Sequence, residues 1–260
     1  MSKIIIANWK ANPKTLHEAE ELFDISDQTQ KETPNVDLII CPPPIYLEVL
    51  SKRNGARVGA QNCHWEKDGG PFTGEISAIM LKNIGINHVL VGHSERRYGL
   101  GENDQMINKK IKSALSVDLT PVLFVGERTK NEDREQVIKS QLTEALDGIP
   151  AHEVSRVYIV YEPVWAVSTN KNAQADTPEN TMETLGIIKN YLFVSYKLGP
   201  DSFTFLYGGS INQSNVASFL SHADINGGVI GGASLRKDEF SNILRIVEGI
   251  GEKKHDEIHR

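Results

Sequence analysis

Eight times along its 260 residues this chain sets a short apolar run ahead of a longer segment with helical periodicity, and that alternation constrains the fold more than any other feature. The apolar runs fall at residues 3–7, 37–40, 57–60, 88–91, 120–125, 156–160, 204–206 and 228–230. The helical patterns fall at 17–29, 45–53, 78–84, 105–115, 135–146, 179–196, 213–220 and 237–248. Thr177 followed by Pro178 marks one helix start, because the threonine can cap and the proline sits where no backbone N–H is needed. Runs such as "KIIIA" and "VLFV" are apolar on both faces, as in a parallel sheet covered by helices on each side. No Pro/Gly/Ser-rich linker separates the units, and a closed (β/α)8 barrel typically takes about 250 residues. The reading is therefore one α/β domain, a single (β/α)8 barrel over residues 1–251. The charged tail, 252–260, is expected to fray.

Composition narrows the partners. A net charge of −6 without a Lys/Arg block argues against nucleic acid or an acidic membrane surface as the main partner. No apolar run approaches the roughly 18 residues of a membrane span, and no charged leader precedes the first run, so a cytoplasmic location is expected. Cys41 and Cys63 lack metal-ligand spacing and read as two buried thiols, and no metal site is expected.

In a barrel of this kind the chemistry sits where the strands end. The first strand ends in "NWK" (Asn8, Trp9, Lys10), the fourth in "GHSERR" with His93, and the sixth in Glu162. Each alone has a bland reading: a lysine is usually solvated, a lone histidine structural, a terminal glutamate a surface charge. The seventh ends in "YGGS" (Tyr207 to Ser210) and the eighth in "GGAS" (Gly231 to Ser234). Glycine pairs let backbone N–H groups approach an anion, and loops after the last two strands commonly hold phosphate. One carboxylate, one histidine, one lysine and a paired phosphate cradle together describe proton transfer on a phosphorylated small molecule. No nucleophile triad, metal cluster or dinucleotide fingerprint competes. "YEPVWAVSTN" adds an oddity: Glu162 and Pro163 lead into Val164, Trp165, Ala166 and Val167, apolar residues expected to face solvent.

The segments "NWK", "FTGE", "GHSERR", "YEPVWA", "YGGS" and "GGASL" resemble the signature segments of the triosephosphate isomerases, in the family's order and over nearly the whole chain. The resemblance implies a TIM barrel and a cofactor-free isomerase of triose phosphates in glycolysis and gluconeogenesis; the family is itself the worked case of pKa tuning at neutral pH. It makes Glu162 the base that shuttles a proton between adjacent carbons, and His93 the neutral electrophile on the carbonyl. Lys10 would stabilise enediolate and phosphate, Glu95 would pair with Lys10, and Asn8 would donate a hydrogen bond. Backbone N–H groups at Ser168, Ser210, Gly231 and Gly232 would hold the phosphate. Pro163, Val164, Trp165, Ala166, Val167, Ser168, Thr169 and Asn170 would form a lid that excludes water. The segment 69–75, "GGPFTGE", would insert into a second subunit, with Thr73 completing the partner's site in a homodimer.

The chain departs from the family in four places. The lid usually ends in Ile-Gly-Thr-Gly and here reads Val167, Ser168, Thr169, Asn170. Gln174, Ala175 and Asp176 stand as an insertion before Thr177. Phe124 takes the place of a cysteine beneath the base. Val167 and Val229 replace the Ile/Leu pair that clamps it. A slimmer clamp leaves open an isomerase of a four-carbon ketose phosphate beside the three-carbon reading. A non-catalytic sugar-phosphate sensor is the third reading, and the intact Glu162, His93 and Lys10 argue against it.

Overall fold

The apolar runs lie side by side and all point one way. The strands are β1 (Lys3–Asn8), β2 (Val36–Cys41), β3 (Arg57–Val58), β4 (His88–Val91), β5 (Thr120–Val125), β6 (Tyr158–Tyr161), β7 (Thr204–Tyr207) and β8 (Gly227–Ile230). In the computed structural model, which describes residues 2–167 and 174–258, they pair in the order β3-β2-β1-β8-β7-β6-β5-β4, every pair parallel. Ala60 closes the ring: its N–H donates to the His88 carbonyl at 2.9 Å, and its own carbonyl accepts from Leu90 at 2.8 Å.

Around the strands run α1 (Leu16–Glu32), α2 (Leu47–Ser51), α3 (Ala78–Asn83), α4 (Ser94–Gly99), α5 (Asp104–Leu115), α6 (Arg134–Ala145), α7 (Ala151–Val154), α8 (Pro178–Tyr196), α9 (Val216–Leu220) and α10 (Lys237–Ile258). Local chemistry starts them. Thr15 and Glu18 form a capping box on α1, and Asn103, Asp133 and Thr177 each accept an N–H from the first turn of α5, α6 and α8. The sequence reading has no pattern at the four-residue α7 or the six-residue α4. It also ended the last helix at Glu248, whereas α10 continues to Ile258.

Alternation along the strands builds two apolar layers. Ile5 and Ala7 of β1 face outward and join the cluster between sheet and helices, whereas Ile6 faces inward. Inside the barrel Ile6 meets Ile39, Leu90, Val122, Phe124, Val160, Leu206 and Val229, so the interior is filled rather than open. Cys41 and Cys63 are free and buried, and burial pushes the Cys63 thiol up to about 12. Among the described residues no helix is long and apolar enough to cross a membrane. Among those residues no His/Cys/Asp/Glu group could hold a metal ion.

Candidate active site

A cavity of about 260 Å³ opens where the strands end, and residues from distant parts of the chain line it. Asn8 and Lys10 come from the end of β1, His93 from β4, Glu162 from β6, residues 208–212 from β7, and Gly231 and Gly232 from β8. The strand tips set these positions. β6 stops at Tyr161, so Glu162 is the first residue past the sheet, yet its N–H still donates to the Val125 carbonyl at 2.8 Å.

Lys10 turns into the cavity by an uncommon backbone. Its φ is +54°, a left-handed conformation that a residue with a Cβ adopts at a cost. Two contacts hold it there: the Lys10 N–H donates to Asn8 Oδ1 at 3.1 Å, and Gln61 Nε2 donates to the Lys10 carbonyl at 2.7 Å. The ammonium then reaches Glu95 Oε1 at 2.5 Å. Glu95 is half-exposed and sits behind Lys10, outside the cavity lining.

His93 caps α4, and that role orients its ring. The Glu95 N–H donates to His93 Nδ1 at 3.2 Å, which requires a lone pair on that nitrogen and leaves Nε2 to carry the ring hydrogen. Nε2 stands 3.3 Å from Glu162 Oε1. The Glu162 carboxylate is buried and docked on α4: Ser94 N–H donates to Oε2 at 2.8 Å and Ser94 Oγ to Oε1 at 2.9 Å. Two potential proton carriers, both buried, thus meet at the wall of one cavity.

The glycines beyond β7 are needed where they stand. A Cβ at Gly209 would lie 2.1 Å from the Tyr207 hydroxyl oxygen, and one at Gly208 would lie 2.5 Å from Val160 Cγ1. Gly231 stands beside the lysine: a Cβ there would lie 3.4 Å from Lys10 Cε, in ordinary contact. Ser210 is braced by Asn215 Nδ2 on its carbonyl at 2.8 Å. Open backbone beside a cation makes this side of the cavity suited to an oxyanion.

Val167 and Val229 both line the cavity with Glu162, and Phe124 sits beneath His93 with ring centroids 5.0 Å apart. The expected exposure of residues 164–167 is overturned for three of the four, and Val164 is half-buried. Trp165, Ala166 and Val167 are buried, and Val164 to Ala166 form a single 3-10 turn. The reason is a polar anchor the apolar pattern could not reveal: the Trp165 indole N–H donates to Glu127 Oε1 at 2.9 Å, which also accepts from the Tyr161 hydroxyl at 2.9 Å. Ser168, Thr169 and Asn170 lie outside the described residues. Thr73 is exposed in its loop, and Phe72 beside it packs on the His64 ring, centroids 4.4 Å apart.

Sequence reasoning missed Ser94, Glu127, Asn212 and Arg236. Arg236 and Asn212 line the cavity, and a base directly after "GGASL" was the available signal for the former. Glu127 follows β5 within "VGE", a strand end that went unread.

The sequence model of the family described as Triosephosphate isomerase matches residues 3–247. A triosephosphate isomerase of Aquifex aeolicus is 41% identical over 252 residues, covering 94% of this chain and 99% of that protein. One of Dictyoglomus thermophilum is 40% identical over 250 residues, covering 94% of this chain and 98% of its own. One of Alkaliphilus metalliredigens is 39% identical over 248 residues, with 93% and 98% covered.

Proposed function

We propose a working site for a chain that belongs to the triosephosphate isomerase family: phosphate on the turns after β7 and β8, the carbonyl against His93 and Lys10, and Glu162 as the base. The chain is an intramolecular aldose–ketose isomerase that interconverts dihydroxyacetone phosphate and D-glyceraldehyde 3-phosphate through an enediolate. One observation carries the assignment of roles. Lys10, His93 and Glu162 leave three different strands and line a single cavity with the four glycines of the two turns.

The chemistry follows from how weakly acidic a C–H beside a carbonyl is. The site must stabilise the enediolate rather than supply a strong base. Glu162 takes the proton from one carbon and returns it to its neighbour, which requires its carboxylate to exchange the Ser94 donors for the substrate. His93 Nε2–H faces the developing oxyanion as donor and moves a proton between the two oxygens. Lys10, steered by Glu95 and with Asn8 beside it, supplies positive charge to both the enediolate and the phosphate. Backbone N–H groups at Ser210, Gly231 and Gly232, with Ser168 added from the cover, hold the phosphate. Residues 163–170 form that cover, and excluding water keeps the enediolate from losing phosphate.

The smallest active unit in this reading is a homodimer in the cytoplasm. Thr73 and Pro71 are exposed, and Ile45 and Met80 expose 77% and 52% of their surface, an apolar rim suited to a second copy. A coupled assay on purified protein tests the site. Glu162→Gln keeps the shape, removes the base and should lower turnover by at least about 10³-fold, while EDTA leaves the wild-type rate unchanged. Near-wild-type turnover in that variant would overturn the role of Glu162.

A further inference from the structure

The turn after β8 has a cation beside each of its two glycines. A Cβ on Gly231 would lie 3.4 Å from Lys10 Cε, and one on Gly232 would lie 3.9 Å from Arg236 Nη1. Lys10 already has a part in the site, and Arg236 has none. Its side chain nevertheless lines the cavity together with Lys10, Gly231 and Gly232. Two contacts hold the guanidinium there. Nε donates to Glu239 Oε2 in an ion pair, and Nη1 donates to the Gly232 carbonyl at 3.2 Å. The side chain can fold back this far because Gly232–Leu235 form a 3-10 turn that Arg236 directly follows. A guanidinium has five N–H donors, and these contacts use two of them. Among the described residues it makes no other hydrogen bond. Glu239 is not part of the cavity lining, so the ion pair presents its positive end to the cavity.

We propose that Arg236 is a substrate-binding residue: a second cation for the phosphate, acting from the exposed flank of the turn after β8 while Lys10 acts from the buried one. The inference rests on the cradle reading given above. The side chain of Lys10 is 18% exposed and that of Arg236 is 60% exposed, so the two charges differ in what screens them. A guanidinium suits this place, since its planar fork offers parallel donors to phosphate oxygens. Its remaining N–H groups point their charge at an anion held on the Gly232 N–H. Being half in solvent, Arg236 acts through a field that salt weakens. The screening length is about 30 Å at 0.01 M salt and about 3 Å at 1 M.

The test compares wild type with Arg236→Gln, Arg236→Lys and, as a reference for the cradle, Lys10→Ala. It reads KM and kcat for triose phosphate and, separately, Kd for inorganic phosphate by calorimetry, each at about 0.01 M and about 1 M salt. At low salt Arg236→Gln should raise KM and the phosphate Kd about three- to tenfold, the effect of one screened charge near a dianion, while the loss in kcat stays within about twofold. At high salt the gap to wild type should shrink below about twofold. Arg236→Lys keeps the charge and should stay within about twofold of wild type at both salts. A purely structural role, holding the 3-10 turn through the Gly232 carbonyl, would give a loss that ignores salt and that lysine does not repair. That result overturns the proposal, and so does an unchanged phosphate Kd in Arg236→Gln or a loss confined to kcat. Failure of the cradle reading looks different. If Lys10→Ala weakens phosphate binding and Arg236→Gln does not, the cradle stands and Arg236 falls. If neither variant changes the phosphate Kd, or wild type binds no phosphate, both fall.

Discussion

Lys10 holds a backbone angle that costs on the order of 1 kcal/mol for a residue with a Cβ, and it is kept there by Asn8 and Gln61. Strain of this kind persists where surroundings impose it, and here it aims a cation into the cavity. In the proposed site one charge serves phosphate and enediolate alike, so Lys10→Ala should raise KM and lower kcat together in steady-state assays. If both constants stay put, the lysine is a solvated charge. A second residue matters for stability alone. His88 is buried at the start of β4, and burial first, with Arg57 second, lowers its pKa to about 4. A histidine depressed in the folded state stabilises fully above its unfolded value near 6.5, and that contribution is lost as pH falls through about 4. Denaturant unfolding should show a loss of up to about 3 kcal/mol from this site between those limits. His88→Gln should flatten the pH dependence; an unchanged slope would count against the histidine as its source.

Among the elements, the turn after β6 and the tip of β8 decide how tightly the base is caged. Val167 and Val229 are 9% and 4% exposed and both line the cavity with Glu162. Each side chain is one methylene short of the family's pair, worth about 0.8 kcal/mol when buried. A less dry carboxylate is a weaker base. Val167→Ile combined with Val229→Leu should therefore raise triose-phosphate turnover by about tenfold while phosphate affinity holds. If the space instead serves a longer substrate, the same pair of changes should abolish activity on a four-carbon ketose phosphate and gain little on three carbons. Turnover on both sugars, before and after, separates these outcomes.

At the scale of the whole molecule, the barrel supplies a rigid floor and leaves its loops to complete the site. The loop exposes Pro71 and Thr73, and Phe72 between them packs on the His64 ring. Sedimentation should show a dimer at micromolar concentration, and Thr73→Arg should yield monomers with turnover reduced at least about tenfold, because a charge placed in an apolar interface is not accommodated. A fully active monomer would remove the dimer from the functional reading.

The amino-acid sequence by itself determined the architecture and most of the side chains that line the cavity. Eight alternations of strand and helix are short-range periodicities, and several helix starts are written in residues three apart, as at Thr15 and Glu18. Strand ends are legible for the same reason, which is why Lys10, His93 and Glu162 could be named before any contact was known. Only the closed barrel decided which distant groups meet. Ser94 and Glu162 are 68 residues apart, and Glu127 and Trp165 are 38 apart, yet each pair shares a hydrogen bond. The apolar run 164–167 looked destined for solvent because its anchor was a carboxylate on another strand. Local patterns carry the period of an element, and the partners of its side chains are set by closure.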